Sequence, residues 1–252
     1  MDVNKALFYK IVYESTLDNH QRYNIGTYKE KKLHIMLKKY FEENPDYHEI
    51  PVNGYIADIC RDGVITEIET SGFSGLKPKL AAYLPDHKVR LVYPLAHVKY
   101  LSWIDPDNGE ITSRKKSPKK GNAYSALFEM VRILPYVSHA NLTVLVPFLE
   151  IDEYRLLNGW SRDKKRGSNR YERIPTELFQ IEEFSTDADF IRYIPDSCQK
   201  DFLLADFAKA AHITPRDANG VLHVFMERGL LERTGKKGNA YLYSRTHQIN
   251  DF

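Results

Sequence analysis

Residues 55–80 read Tyr55-Ile56-Ala57-Asp58-Ile59-Cys60-Arg61-Asp62-Gly63-Val64-Ile65-Thr66-Glu67-Ile68-Glu69-Thr70-Ser71-Gly72-Phe73-Ser74-Gly75-Leu76-Lys77-Pro78-Lys79-Leu80. Two apolar runs flank Asp62-Gly63, a dipeptide that favours the tight turn of a β-hairpin. The second run carries two carboxylates, Glu67 and Glu69, two positions apart and so on one face of a strand. Asp58, on the partner run, comes within reach of that face if the hairpin pairs around Arg61–Gly63. Three acids on apolar strands are costly to bury without a counter-ion. The residues leave two readings open: a wet outer face of the hairpin, or a site for a divalent cation with oxygen ligands.

Outward from the hairpin, Leu33, Met36, Leu37, Tyr40 and Phe41 recur at helical spacing among lysines and glutamates. Thr27 is a candidate N-cap with Glu30 three positions on, and Asn44-Pro45 ends the helix. His48–Val52 reads as a strand. After the hairpin, Gly72-Phe73-Ser74 opens a helix reaching about Leu84, and Val89–Leu95 reads as a strand buried on both faces. The order is helix, strand, strand, strand, helix, strand. Asn4–Glu14 fits a helix or a strand, and residues 17–27 fit a loop.

This order, with an acid on the second strand and an acidic pair on the third, resembles the PD-(D/E)XK nuclease superfamily over roughly residues 28–100. The resemblance implies a restriction-endonuclease-like αβββαβ core of mixed α/β class. It implies that Asp58 and Glu67 bind Mg²⁺ or Mn²⁺ and that Glu30 on the first helix joins them. The family places a lysine two residues after the glutamate. Here that position is Glu69, so Lys77 or Lys79 from the following helix would take the lysine's role, or the site is impaired.

The chain has 252 residues, 42% of them hydrophobic, and a formal charge of +2. It is long enough for one large domain or two small ones. No run of 18 apolar residues occurs, so no membrane-spanning segment is expected. The N-terminus lacks the pattern of a secretion signal. Cys60 and Cys198 are too far apart in sequence to suggest a zinc site, which points to a reducing, cytoplasmic setting.

The positive charge is local. Arg114, Lys115, Lys116, Lys119 and Lys120 lie within seven residues, and residues 158–173 form a second basic stretch. Beside a nuclease-like core the first run would contact DNA phosphates; otherwise it is a solvated loop. The second is a loop between strands that meets phosphate, or a linker. Lys99–Ile104 and Leu142–Ile151 read as strands, the latter interrupted by Pro147. Tyr124–Leu134 reads as a helix. Thr176–Phe190 reads as one or two short helices.

The C-terminal part reads as a helix Phe202–Ala211 capped by Asp201, then a second helix from Thr214-Pro215 to about Arg228, stopped by Gly229. Two strands follow around Gly235-Lys236-Lys237-Gly238. Over about residues 198–246 this resembles a winged helix-turn-helix domain. That resemblance implies a recognition helix presenting Arg216, Asn219 and His223 to base edges, with Lys236 and Lys237 on phosphates. The hexapeptide Lys119-Lys120-Gly121-Asn122-Ala123-Tyr124 recurs as Lys236-Lys237-Gly238-Asn239-Ala240-Tyr241.

Segments including Glu30–His34, Glu67–Thr70, Lys116–Lys119 and Gly238–Tyr241 are also similar to an uncharacterised prokaryotic family that joins such a core to such a C-terminal domain. The expected organisation is a nuclease-like domain over 1–150, a basic connecting region over 151–195 and a winged helix over 196–252. The expected function is metal-dependent hydrolysis of DNA phosphodiester bonds, with a homodimer needed to cut both strands. The rivals are a DNA-binding regulator whose nuclease fold has lost its chemistry, and a protein-interaction module.

Overall fold

The computed structural model describes residues 2–17, 31–160 and 166–246. The fold is mixed α and β, built on one large mixed sheet. Two helices, α1 (Lys5–Leu17) and α2 (Lys32–Phe41), precede three antiparallel strands, β1 (His48–Val52), β2 (Tyr55–Arg61) and β3 (Val64–Ile68). The Asn53-Gly54 and Asp62-Gly63 turns both have positive φ at both residues. Asparagine, aspartate and glycine tolerate that conformation, and it matches the twist of a two-residue hairpin. Helix α3 (Lys77–Tyr83) then crosses over, and β4 (Lys88–Val92) lies parallel to β3. The order expected from the sequence is the order found.

The remaining strands extend that sheet. β5 (Leu95–Ile104) continues the line of β4, and both pair in parallel with β7 (Leu142–Trp160). Val92 faces Leu145 and Leu95 faces Phe148, so the same register sets Pro94 opposite Pro147. Proline cannot donate to a ladder. The break between β4 and β5 falls where two prolines meet, and β7 runs through it. β6 (Lys115–Lys116) pairs with β5, while β8 (Arg166–Phe184) returns antiparallel along β7.

β8 replaces the helices expected over Thr176–Phe190. Leu178, Ile181 and Phe184 are buried and three apart, a spacing that mimics one helical face. A register shift opposite Phe148/Leu149 puts an extra residue between Leu178 and Ile181 and keeps both on the α1–α2 face, while Phe184 is buried on the other face. Only α5 (Asp187–Ile191) is helical in that stretch.

Apolar layers cover both faces of the sheet. Phe8 and Ile11 of α1, with Leu33, Met36 and Leu37 of α2, pack on Ile59, Ile68, Val92, Leu145 and Leu149. On the other face, Leu80 and Tyr83 of α3 and Leu127 and Met130 of α4 (Ala123–Met130) pack on Ile65, Leu91, Val144 and Phe148. A 3₁₀ segment, Val131–Tyr136, follows α4. The C-terminal elements β9 (Phe202–Leu203), α6 (Leu204–Ala210), α7 (Pro215–Glu227), β10 (Leu231–Lys237) and β11 (Ala240–Arg245) share this second core through Ala218, Val221 and Phe225.

Helix α7 begins as expected, with the Thr214 hydroxyl accepting from the Asp217 amide and Pro215 in the first turn. Helix α6 starts later than expected. Phe202 and Leu203 pair with Tyr243 and Leu242 of β11, which draws them into a three-stranded sheet. Asp206, not Asp201, takes the Leu203 amide at the start of α6.

Candidate active site

β2 and β3 pair only from Ile59↔Thr66 to the turn. Beyond that point the strands fork, and Asp58 fills the fork. Its Oδ2 accepts from the Ile68 amide at 2.7 Å, occupying a donor that the ladder would otherwise have used. The same oxygen lies 3.2 Å from His34 Nε2 of α2. Burial pushes the Asp58 carboxyl up, but the hydrogen bond and charge of His34 and the Ile68 amide outweigh it and hold the group below its usual range.

Glu67, on β3, is 2% exposed. Lys79, from the second residue pair of α3, donates from Nζ to Glu67 Oε2 at 2.8 Å and to the Ile56 carbonyl at 2.9 Å. Glu67 Oε1 is buried with no hydrogen-bond partner. Burial and the charge of Asp58 push Glu67 up to about 7, against the pull of Lys79. Glu69 is likewise pushed up to about 7, by burial and by Asp58. The Tyr83 hydroxyl is buried without a partner, and burial with the charges of Glu67 and Asp58 pushes it well up. Burial is the larger cause of these shifts, and repulsion from neighbouring carboxylates adds to it.

Asp58, Glu67, Glu69 and Lys79 therefore gather at the C-terminal end of β3. Lys77 does not join them; it is exposed at the start of α3. Proline at position 78 and the helical turn direct Lys79 inward and Lys77 outward. Glu30 lies outside the described residues. His34 was not singled out by the sequence as a site residue, although its place one turn from Leu37 and Lys38 put it on the face toward the sheet.

Among the described residues, no group of three or more His, Cys, Asp or Glu is arranged to hold a metal ion. Magnesium needs fewer, since it binds through one or two carboxylates and keeps several waters. The partnerless Glu67 Oε1 beside Asp58 fits that requirement.

The basic residues have mixed fates. Arg114 is spent on structure: it bonds Asp152 at 2.7 Å and Glu150 at 2.8 Å and covers the Tyr100 ring. Lys115 and Lys116 form β6 and are exposed, as are Lys119 and Lys120. On α7, Arg216 and Asn219 are both exposed. The Arg216 guanidinium sits over Phe128 of α4, and His223 is half-buried. Gly220 brings the α7 backbone so close to Phe128 that an added Cβ would meet its ring at 2.6 Å. That side of α7 is covered by α4. Lys236 and Lys237 are exposed at the β10–β11 turn.

The repeated hexapeptide serves two unrelated structures. Asn122 caps α4 by accepting from the Ser125 amide. Gly238, with φ of 62°, helps turn the β10–β11 hairpin.

Residues 31–185 match the family model described as a domain of unknown function, DUF8091. The match covers well over half of the chain, including α2, Asp58, Glu67, Lys79 and the β7–β8 hairpin. A protein of Treponema pallidum (strain Nichols), described as an uncharacterized protein, is 27% identical over 228 residues, spanning 88% of this chain and 87% of its own length. No solved structure matches the chain. No helix among the described residues is long and apolar enough to cross a membrane.

Proposed function

We propose that this chain, which belongs to the DUF8091 family, is a metal-dependent nuclease that hydrolyses DNA phosphodiester bonds at the Asp58–Glu67–Lys79 cluster. The observation that carries the reading is the meeting of two strand carboxylates and one helix lysine at the fork of β2 and β3. The resemblance to PD-(D/E)XK nucleases noted from the sequence calls for those residue types on those elements. The order of strands β1–β4 and their pairing, antiparallel then parallel, agree with it.

Asp58 and Glu67 would hold the ion. A bound Mg²⁺ or Mn²⁺ would polarise a phosphoryl oxygen and lower the pKa of its water. The chain's own residues have separate tasks. Asp58 is held ionised by His34 and the Ile68 amide, so one carboxylate is charged throughout the neutral range. Glu67, pushed up to about 7, is ready to exchange its proton for a cation near neutrality. Lys79 supplies a positive charge beside the carboxylates and would orient an attacking water or a phosphate oxygen. It takes the role that the family gives to a lysine at the position of Glu69.

Glu69 is also the one observation that favours a second reading, a regulator that binds DNA without cutting it. One assay separates the two. Supercoiled plasmid is incubated with the protein and Mg²⁺ or Mn²⁺, beside Asp58→Asn, Glu67→Gln and Lys79→Met. Nicking by the parent and its loss in all three variants is the expected result. Retardation of DNA without nicking would replace the nuclease with the regulator.

A further inference from the structure

We infer that Lys99, Arg155, Arg170 and Arg173 hold a phosphate of a nucleic-acid strand next to the carboxylate site. This rests on the nuclease reading, whose substrate it describes more closely. Three of these cations surround a single acid. Glu153 of β7 has a side chain 1% exposed, and it accepts from Arg155 at 2.7 Å. Arg170 Nε lies 3.5 Å from its other oxygen and Lys99 Nζ 3.7 Å from that same oxygen. The fourth, Arg173, stands directly across the β7–β8 ladder from Glu153.

Against the four cations stand two acids, Glu153 and the nearby Glu172, so the cluster keeps an excess of positive charge. Burial pushes Lys99 down from its usual value. Burial and the neighbouring Arg170 push Arg173 down to about 10. Arg173 Nε is buried with no partner. Like charges gathered in a partly buried place are unfavourable unless an anion completes them. Two arginines elsewhere are better matched: exposed Arg114 lies between two acids, and half-buried Arg228 bonds Asp187 and the Val137 carbonyl.

Position connects the cluster to the chemistry. Arg173 Nη2 donates to the Thr70 carbonyl at 2.6 Å, one residue after Glu69. Through Arg173 the cluster thus reaches the residue that follows Glu69, just beyond the end of β3. Guanidinium forks match the oxygens of phosphate and bind it in pairs. A strand whose scissile phosphate meets Lys79 and the carboxylates would set a flanking phosphate against Arg170 and Arg173, with Arg170, 45% exposed, at the opening.

The test is binding in EDTA, where no cleavage occurs. Fluorescence anisotropy follows a fluorescein-labelled DNA oligonucleotide, single-stranded and duplex, at several KCl concentrations. Arg170→Gln/Arg173→Gln should weaken binding about tenfold and make the salt slope shallower by about 1 to 2. Asp58→Asn/Glu67→Gln should bind as tightly as the parent or tighter, since it removes repelling charge. If Arg173→Gln disturbs folding, the single variants Arg170→Gln and Lys99→Gln carry the test, with thermal melting as the control. Unchanged affinity and slope in the basic variants would overturn the inference, whatever the plasmid assay gives. A rise in melting temperature with inorganic phosphate, without oligonucleotide binding, would overturn it in favour of a free anion. Absence of plasmid nicking by the parent would sink the nuclease reading and leave the basic variants' binding result standing.

Discussion

Lys79 and Glu67 stand twelve residues apart in the chain, and the ammonium lies 2.8 Å from the carboxylate. The pair ties α3 to β3, and the lysine also reaches the Ile56 carbonyl of β2. Lys79→Met removes both contacts and leaves Glu67 buried without a counter-charge. At pH 5 Glu67 is protonated and the loss is small. At pH 8 it is ionised, and the variant should be less stable than the parent by about 1–2 kcal/mol. Thermal melting at the two pH values in EDTA measures the difference. Equal losses at both would show that the pair has no electrostatic role.

Glu69 gives a separate pH dependence. Its folded value of about 7 lies above the ordinary 4.5, so between those values the native state binds more protons than the unfolded chain. Stability from this group is therefore present below pH 4.5 and lost as pH rises through 7. Glu69→Gln stays neutral throughout. In EDTA it should melt higher than the parent at pH 8 and equally near pH 4.5. Screening at this half-buried site limits the gain to roughly 1–2 kcal/mol, or about 2–4 °C per kcal/mol for a chain of this size.

Gly220 is a packing requirement. A Cβ there meets Phe128 at 2.6 Å and Val131 at 3.2 Å. Gly220→Ala should cost about 1–3 kcal/mol through overpacking, although alanine favours a helix over glycine by up to about 1 kcal/mol. Adding Phe128→Ala should make the glycine substitution nearly harmless. A double-mutant cycle by urea unfolding measures that coupling.

Arg114 is saturated by Glu150 and Asp152. Arg114→Ala should therefore leave oligonucleotide affinity within about twofold of the parent. Arg170→Gln, whose guanidinium shares the Glu153 carboxylate with Lys99 and Arg155, should not. A large loss of affinity in Arg114→Ala would mean that this ion pair opens to meet phosphate.

The hairpin at Asp62-Gly63 was legible because residue type and turn geometry agree; of the two lysines the resemblance offered, Lys79 is the one in contact with Glu67. What stayed hidden depends on long-range pairing. Leu178, Ile181 and Phe184 imitate a helix because a bulge against β7 keeps the first two on one face of the sheet and Phe184 is buried on the other. His34 belongs with Asp58 only through the packing of α2 on the sheet. Glu153 and its cations come from three strands distant in sequence, and no local motif unites them. The recurring hexapeptide shows the same limit, since tertiary partners make one copy a helix cap and the other a hairpin.

The covered side of α7 decides how the molecule can be dissected. Ala218, Val221 and Phe225 fill a layer that also holds Leu127 and Met130 of α4. Ending the chain near Pro195 would uncover that layer as a continuous greasy surface, which invites self-association. Inactivity of such a fragment would report collapse of the whole molecule, so the C-terminal fifth has to be probed by single substitutions within an intact chain.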